Sequence, residues 1–542
     1  MGSQYLYTVE AMIECGGQVA DRRSLRFGIR TIELKRDGQF TFCINGIDVF
    51  ARGANWVPPD SLTLDTAPEQ YRHLLEQAHD VHFNMLRVWG GGTYESDTFY
   101  ELCDELGIMV WQDFMFACGM YPDDDPTFME SVAKEADDAV RRLRSHPCVV
   151  LWCGENECQD TWAGGYEWYK KADRHYGARI YEHVLPDTVA ELSPDIPWWP
   201  GSPFGGAATM SLTEGDFHDW YDLPNWRKYD ERAPRFSSEY GFRAVPQQET
   251  VDEMISPEYQ WDRKGFLHHT WDFHHGVCNW MKGVLPEFGE PETLRDFIML
   301  SQEAQATLMQ YAVESYRRKM FGTSGSLIWQ YNEPWPAVTF SLVDYFGRPK
   351  AAYYWVARAY APMIGMFYGD EKNPEYWGIS DHVASLTGTL RLRRFHHDGT
   401  LLGDVAIDVT LKPNAATQLL SEMPPELRIT DPESELLHAE LRCGDMVSER
   451  VHHVAMRKDW KLVPTDLRTT VERGVDGTVR LTLVSDVYVH FLFVRCADAH
   501  ARFTDNYFDL VPGIAKTIEI RTCRDEFLTV EAANVAPFRV DA

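Results

Sequence analysis

The 542-residue chain has no stretch of about 18 uncharged apolar residues, so no transmembrane helix is expected. Its opening, Met-Gly-Ser-Gln-Tyr, lacks a basic segment followed by an apolar run. No signal peptide is therefore visible, and a cytoplasmic location is expected. Basic residues are in short supply: 52 Lys and Arg stand against 82 Asp and Glu, a net charge of −30. A surface this acidic repels phosphate backbones and anionic lipid, which argues against nucleic acid or a membrane as the main partner. The 11 cysteines are too sparse for the disulfide framework of a small secreted fold. Cys103 and Cys148 sit in apolar contexts and read as small core residues, and Cys153 and Cys158 have no second pair to complete a zinc pattern. No metal and no cofactor are expected.

Apolar residues make up 44% and charged residues 25%, ordinary values for a globular chain of about three or four domains. Aromatic residues reach 13%, with 18 Trp. That many rings make a ligand with flat apolar faces worth considering, and sugars are such ligands.

The chain divides into three parts. Residues 1–35 read as strands, with alternation at Tyr5, Tyr7, Val9 and again at Leu25, Phe27, Ile29, Ile32 and Leu34. So few strands cannot stand alone, so they read as the end of a β-domain. Residues 36–365 alternate short apolar runs with helical patterns. Strands are expected at Val49–Trp56, Asn84–Trp89, Ile108–Phe114 and Cys148–Cys153. Thr66-Ala-Pro-Glu69 resembles a capping box, Asp125-Pro126 an N-cap with a first-turn proline, and Gly107 a helix end. This alternation predicts a closed (β/α)8 barrel. An open doubly wound sheet is the structural rival, lowered because no glycine-rich dinucleotide fingerprint follows the first strand. From about 366 the alternation becomes that of strands, as at Val405–Leu411 and Val479–Leu483, with turns at Asp398-Gly399 and Asp476-Gly477. One or two immunoglobulin-like β-sandwiches are expected, 366–458 and 459–542, divided near Trp460.

In such a barrel, function sits where strands end. The polar and aromatic residues closing apolar runs are Asn55, Trp56, Arg87, Trp89, Asp113, Asn156, Glu157, His218, Glu239 and Trp329. Two carboxylates stand out: Glu157 closes Leu151-Trp-Cys-Gly-Glu-Asn-Glu157, and Glu239 closes Arg235-Phe-Ser-Ser-Glu239. Cleaving a glycosidic bond takes two such groups, one ionised and one protonated at the same pH. The plain alternative is two unrelated surface or ion-paired glutamates. His268-His-Thr-Trp-Asp-Phe-His-His275 is a weak metal candidate, because adjacent histidines rarely converge on one ion. Asp123-Asp-Asp125 reads as a solvated loop.

Several stretches, taken in order, resemble the β-mannosidases of glycoside hydrolase family 2. They are Phe27-Gly-Ile-Arg-Thr-Ile-Glu-Leu34, Ala51-Arg-Gly-Ala-Asn-Trp-Val-Pro-Pro-Asp-Ser61, Asn84-Met-Leu-Arg-Val-Trp-Gly-Gly-Gly92, Trp152-Cys-Gly-Glu-Asn-Glu157, Ser238-Glu-Tyr-Gly-Phe242, Ile328-Trp-Gln-Tyr-Asn-Glu-Pro-Trp335 and Phe503-Thr-Asp-Asn-Tyr-Phe-Asp-Leu-Val-Pro-Gly513. The resemblance implies a retaining exo-hydrolase of terminal β-mannose, with Glu157 as general acid/base and Glu239 as nucleophile. It sets their carboxyls about 5–5.5 Å apart. Asn156 is placed to bond the sugar 2-hydroxyl, or to cap local backbone. Arg87 is placed to hold Glu239, or to serve as a structural ion pair. Asp113 is open between sugar hydroxyls and a partner for Arg87 or a backbone amide. Trp89, Trp329, His218 and Trp220 are candidates for the pocket walls, with core roles as the alternative. The expected partner is a β-mannoside oligosaccharide or glycan. Relatives of this kind carry an N-terminal sugar-binding domain and a complete immunoglobulin-like domain before the barrel, so a missing N-terminal domain or partner chain is expected here. A non-catalytic carbohydrate-binding remnant and another exo-β-glycosidase, such as a glucosaminidase or galactosidase, remain the rival readings.

Overall fold

The computed structural model describes residues 4–62, 65–164, 170, 172–220, 227–261, 269–274, 286–475, 477–496, 498, 500–521 and 527–541. His268, His275 and Asp476 lie outside the described residues.

Eight parallel strands form one curled sheet. In chain order they are Ala51–Trp56, Met85–Val88, Met109–Asp113, Val149–Cys153, Trp198–Trp199, Phe217–His218, Ser237–Glu239 and Gly325–Ile328. The eighth pairs with the first over Gly325↔Ala51 to Ile328↔Ala54, which curls the sheet back on itself. Between the fifth and sixth strands no ladder is formed among the described residues. The second and fourth strands are buried along their whole length and the first and third at all but one residue each, as a parallel sheet covered by helices on its outer face requires.

Local chemistry explains several helix boundaries. In Pro126–Leu143 the Asp125 carboxylate accepts from the Thr127 and Phe128 amides at 2.8 and 3.3 Å, and Pro126 fills the first turn. Asp97–Leu106 stops at Gly107, which takes φ +71°. The helix Pro68–Asp80 departs from the capping-box expectation. Its N-cap is Ala67, which has no side-chain acceptor, and Pro68 alone sets the start. The Asp123 side chain is not solvated: it is buried, receives the Arg179 amide at 3.1 Å and pairs with Arg174 at 2.6 Å.

The floor of the barrel is a three-stranded sheet, Ile32–Lys35, Thr41–Ile44 and Ile47–Val49. Ile32–Lys35 therefore belongs with the barrel side and not with the leading strands. Leu34, Phe40 and Phe42 plug the interior against Trp111, Leu151, Phe236 and Leu327. The leading hairpin, Tyr7–Cys15 with Gln18–Phe27, keeps nearly all its side chains exposed.

Past residue 362 the chain forms two sandwiches. The first packs the sheet Met363–Tyr368, Glu375–Ser380, Ala415–Leu420 on the sheet of Leu386–His396, Leu401–Leu411, Glu435–Cys443 and Met446–His452. The second closes around Val479, Leu481, Val489, Leu492, Ile518, Ile520 and Val530. Both are tied to the barrel by ion pairs, Arg317–Asp381 at 2.8 Å and Arg358–Asp505 at 2.6 Å among them.

Candidate active site

The C-terminal strand ends gather the candidate residues around one buried cation. Arg87, on the second strand, is fully buried. Its guanidinium donates to both oxygens of Asp113 (Nε 3.3 and 3.2 Å, Nη2 2.8 Å), to Glu239 Oε1 at 2.9 Å, to Asn55 Oδ1 at 3.1 Å and to Asn156 Oδ1 at 2.7 Å. One planar fork thus ties together the ends of the first, second, third and seventh strands and the loop after the fourth. Asp113 also accepts from the Gly90 amide at 3.0 Å and Trp111 Nε1 at 2.9 Å. Gly90 cannot carry a side chain there: a Cβ would lie 2.6 Å from the Phe116 carbonyl oxygen and 2.8 Å from that of Phe114.

Glu157 lies just past the fourth strand and begins the short helix Cys158–Ala163. It holds φ +57°, a left-handed backbone that a non-glycine residue adopts rarely and that often marks functional sites. Its Oε1 meets His218 Nδ1 at 2.7 Å, and its Oε2 accepts from Cys118 Sγ at 3.4 Å. His218 Nδ1 is also 3.4 Å from Glu239 Oε2. Oxygens of Glu157 and Glu239 lie within 4.8 Å of each other. Their exposure differs, 26% for the Glu157 side chain and 5% for that of Glu239.

The charges respond to this packing. Burial pushes Glu239 up to about 7, although His218 and Arg87 pull the other way and the Glu157 charge adds to the rise. For Glu157 burial is outweighed by the hydrogen bond and charge of His218, then by Cys118 and Arg87, and the net direction is down. His218 is buried, which disfavours its cation, yet Glu239 and Glu157 together raise it. Burial pushes the Cys118 thiol up to about 12, with Glu157 adding to it, so it stays a donor. Burial also raises Asp113 despite Arg87.

Comparison with known proteins places the domains in a family. The family model for glycosyl hydrolases family 2, TIM barrel domain, matches residues 93–282, a mannosidase Ig/CBM-like domain 372–459, and an Ig-fold domain of mannosidases 462–538. A crystal structure of β-D-mannosidase from Dictyoglomus thermophilum shares 33% identity with a TM-score of 0.89, over 99% of this chain and 67% of that one. The chain belongs to glycosyl hydrolase family 2.

Among curated family 2 relatives, β-mannosidase B of Emericella nidulans is 33% identical over 96% of the chain, and that of Thermothelomyces thermophilus 30% over 96%. The chain spans 66% and 67% of their respective lengths, about two thirds. The exo-chitosanase of Amycolatopsis orientalis shares the fold (TM-score 0.80) at 18% identity.

Within this family 2 framework the expected residues fall into three groups. Glu157, Glu239, Arg87, Asn156 and His218 are joined by direct contacts. Trp89 and Trp329 meet edge to face at 5.1 Å, half-buried beside them, and Gly91 has no room for a Cβ beneath the Trp89 ring. Asp113 joins the first group from behind Arg87, and Trp220 stands apart. Asp113 is fully buried with its oxygens taken by Arg87, Gly90 and Trp111, so it holds Arg87 and does not reach outward for sugar hydroxyls. Trp220 is 38% exposed and packs on Phe340 at 5.3 Å. Sequence reasoning missed Cys118, Ser202 and Asp216. Asp216 was legible in principle, because alternation along Asp216-Phe-His218 puts both polar side chains on one face. In the histidine run, His274 bonds the Pro336 carbonyl at 2.8 Å and stacks on Trp335.

Proposed function

We propose that this chain hydrolyses terminal β-linked mannose from β-mannosides with retention of configuration. One observation carries the reading: two carboxylates, 82 residues apart in sequence, bring oxygens within 4.8 Å at the mouth of the barrel. That spacing suits direct attack by one carboxylate, whereas inversion leaves about 6.5–9.5 Å for an intervening water. Glu239, aimed by Arg87, attacks the anomeric carbon, and the glycosyl ester forms as Glu157 gives a proton to the leaving oxygen. Glu157 then removes a proton from water, and the ester is cleaved. Glu157 suits the acid/base role because it is the more exposed of the two, 26% against 5% for Glu239, and the acid/base must meet the leaving group and then water. Asn156, held by Arg87 through its carbonyl oxygen, gives one amide N–H to Cys118 Sγ at 3.6 Å and has a second for the 2-hydroxyl. The Trp89 Nε1 hydrogen is buried without a partner among the described residues, which suits donation to a sugar hydroxyl.

Mannose is favoured by the names of the relatives at 30–33% identity. A binding remnant without turnover is disfavoured by the intact carboxylate pair and its orienting cation. The test is hydrolysis of a panel of aryl β-glycosides by the chain and by Glu239→Ala. The expected result is turnover of the β-mannoside, lost by a factor of about 10⁴ or more in the variant, since the covalent route is removed. Equal rates, or a preference for β-glucosaminide or β-galactoside, would refute it.

A further inference from the structure

His218 was expected in a pocket wall, but its hydrogen bonds say more. We infer that Asp216 and Ser202 lock the His218 ring with a hydrogen on Nε2, so that one proton is shared between Nδ1 and Glu157, making His218 the proton store of the acid/base. This deepens the reading above and rests on it.

Donors and acceptors around the ring decide where its hydrogens sit. Asp216 is fully buried and accepts from Trp199 Nε1 at 2.8 Å, the Phe204 amide at 3.0 Å, Ser202 Oγ at 2.7 Å and Ser238 Oγ. Four donors surround it. Ser202 has one hydroxyl hydrogen, and the Asp216 carboxylate at 2.7 Å takes it in preference to Ser238 Oγ at 3.3 Å. Towards His218 Nε2, 3.1 Å away, the Ser202 oxygen can then only accept, so Nε2 carries a hydrogen. Two states of the ring remain, neutral with a bare Nδ1 or doubly protonated. Opposite Nδ1, at 2.7 Å, stands Glu157 Oε1. A bare nitrogen facing a bare carboxylate oxygen would set lone pair against lone pair, so a proton lies between them. It has two placements with the same total charge, imidazolium with carboxylate or imidazole with carboxylic acid.

The surrounding charges make the balance responsive. Glu239, 3.4 Å from Nδ1, draws the proton to the ring while it is ionised. Arg87 behind Glu239 opposes this, Asp113 offsets Arg87, and Asp216 acts through Ser202. Cys118 donates to the far oxygen of Glu157. Consistent with this, His218 is raised and Glu157 lowered.

The proton account closes over the cycle. The Nδ1–H bond breaks and Oε1–H forms. The carboxyl turns about its soft terminal torsion and passes that hydrogen to the leaving oxygen while Glu239 bonds the anomeric carbon. With the Glu239 charge now in the ester, the ring stays neutral, and Glu157, turned away from the bare Nδ1, is a free base. Water gives its OH to the sugar and its proton to Glu157. The freed Glu239 carboxylate draws that proton back to Nδ1. His218 acts through Glu157 and is a positioning residue.

Ring-¹⁵N histidine labelling of the chain reads the tautomer without any turnover. His218 is assigned from the signal lost in His218→Asn. The expected signal keeps hydrogen on Nε2 at every pH, and in Glu157→Ala the Nδ1 proton is held at least about tenfold more weakly. A neutral ring with hydrogen on Nδ1 and a bare Nε2 would overturn the inference, whatever the activity. The kinetic arm compares a dinitrophenyl β-mannoside, which leaves unaided, with a poor leaving group. His218→Asn is expected to lose at least about tenfold more on the poor one, with its alkaline limb moved to lower pH. Equal losses on both with an unmoved limb would mean a structural role only. Absence of turnover in the unaltered chain would defeat the functional reading and leave the tautomer result standing.

Discussion

Replacing Arg87 by Gln removes one charge and keeps a hydrogen-bonding side chain of intermediate length. In the native site Glu239 is pushed up to about 7 by burial, with Arg87 among the groups holding it down. The guanidinium Nη1 is 2.9 Å from Glu239 Oε1. With charge centres about 4 Å apart and an effective dielectric of about 20, their attraction is about 4 kcal/mol, or about 3 pH units. The nucleophile must be ionised, so activity is lost as pH falls through its pKa. Without Arg87 that limb moves up by about 3 units, and kcat/KM at pH 7 falls by about 10²–10³. The assay is the pH dependence of kcat/KM on a dinitrophenyl β-mannoside, whose departure needs no acid, so the rate should recover towards high pH. Breaking a buried ion pair also costs about 3–5 kcal/mol, so thermal unfolding must show that the variant is folded. Arg87→Lys keeps the charge without the fork, and its limb should fall between those of the native and Gln chains. A pH-independent loss in folded Arg87→Gln, or a loss below tenfold at pH 7, would refute the reasoning.

Gly90→Ala should destabilise the chain by about 1–3 kcal/mol and lower activity, because its Cβ meets two backbone carbonyls; denaturant unfolding at unchanged stability would contradict the tight approach. His490 joins the second sandwich to the barrel helix Leu294–Arg318, with Nε2 2.8 Å from Glu303 and Nδ1 2.8 Å from Asp509, so His490→Ala should cost about 3–5 kcal/mol in thermal unfolding. The same junction sets a pH window. His490 is raised despite its burial, so its contribution is complete below the ordinary value of 6.5 and fades as pH rises through the elevated one. Glu303 and Asp509 are lowered despite burial, so theirs is complete above the ordinary carboxylate range and fades as pH falls through the depressed values. The native chain should lose Tm towards both extremes, and in His490→Ala the loss above pH 6.5 should be smaller; an unchanged profile would contradict this.

The barrel was legible because its early strands are unbroken apolar runs between helices with strong end signals, such as Asp125-Pro126 and Gly107. The sixth strand, only Phe217–His218, is too short to show a period, and its His218 could be recognised as polar but not given a partner. The floor sheet was misread because Ile32 and Leu34 alternate like the preceding strands; only the ring cluster of Phe40 and Phe42 inside the barrel reveals where they pack. The carboxylate pair was legible from strand ends. Asp113 was left open because a strand-end carboxylate looks the same whether it faces a sugar or a buried arginine. Asp216 could have been paired with His218 by alternation, but Ser202, the link between them, was not legible, since it lies in a loop and serine is common in loops. Hydrogen-bond direction is a property of three-dimensional neighbours.

The account stands most directly on where the sugar becomes covalently attached. Incubation with a 2-deoxy-2-fluoro-β-mannosyl fluoride, which slows release of the glycosyl ester, followed by protease digestion and mass spectrometry of the peptides, reads that site. One fluorosugar on the peptide containing Glu239, absent in Glu239→Ala, is the expected result. A label on any other residue, or an intact active chain that first releases the α-anomer and takes no label, would contradict it.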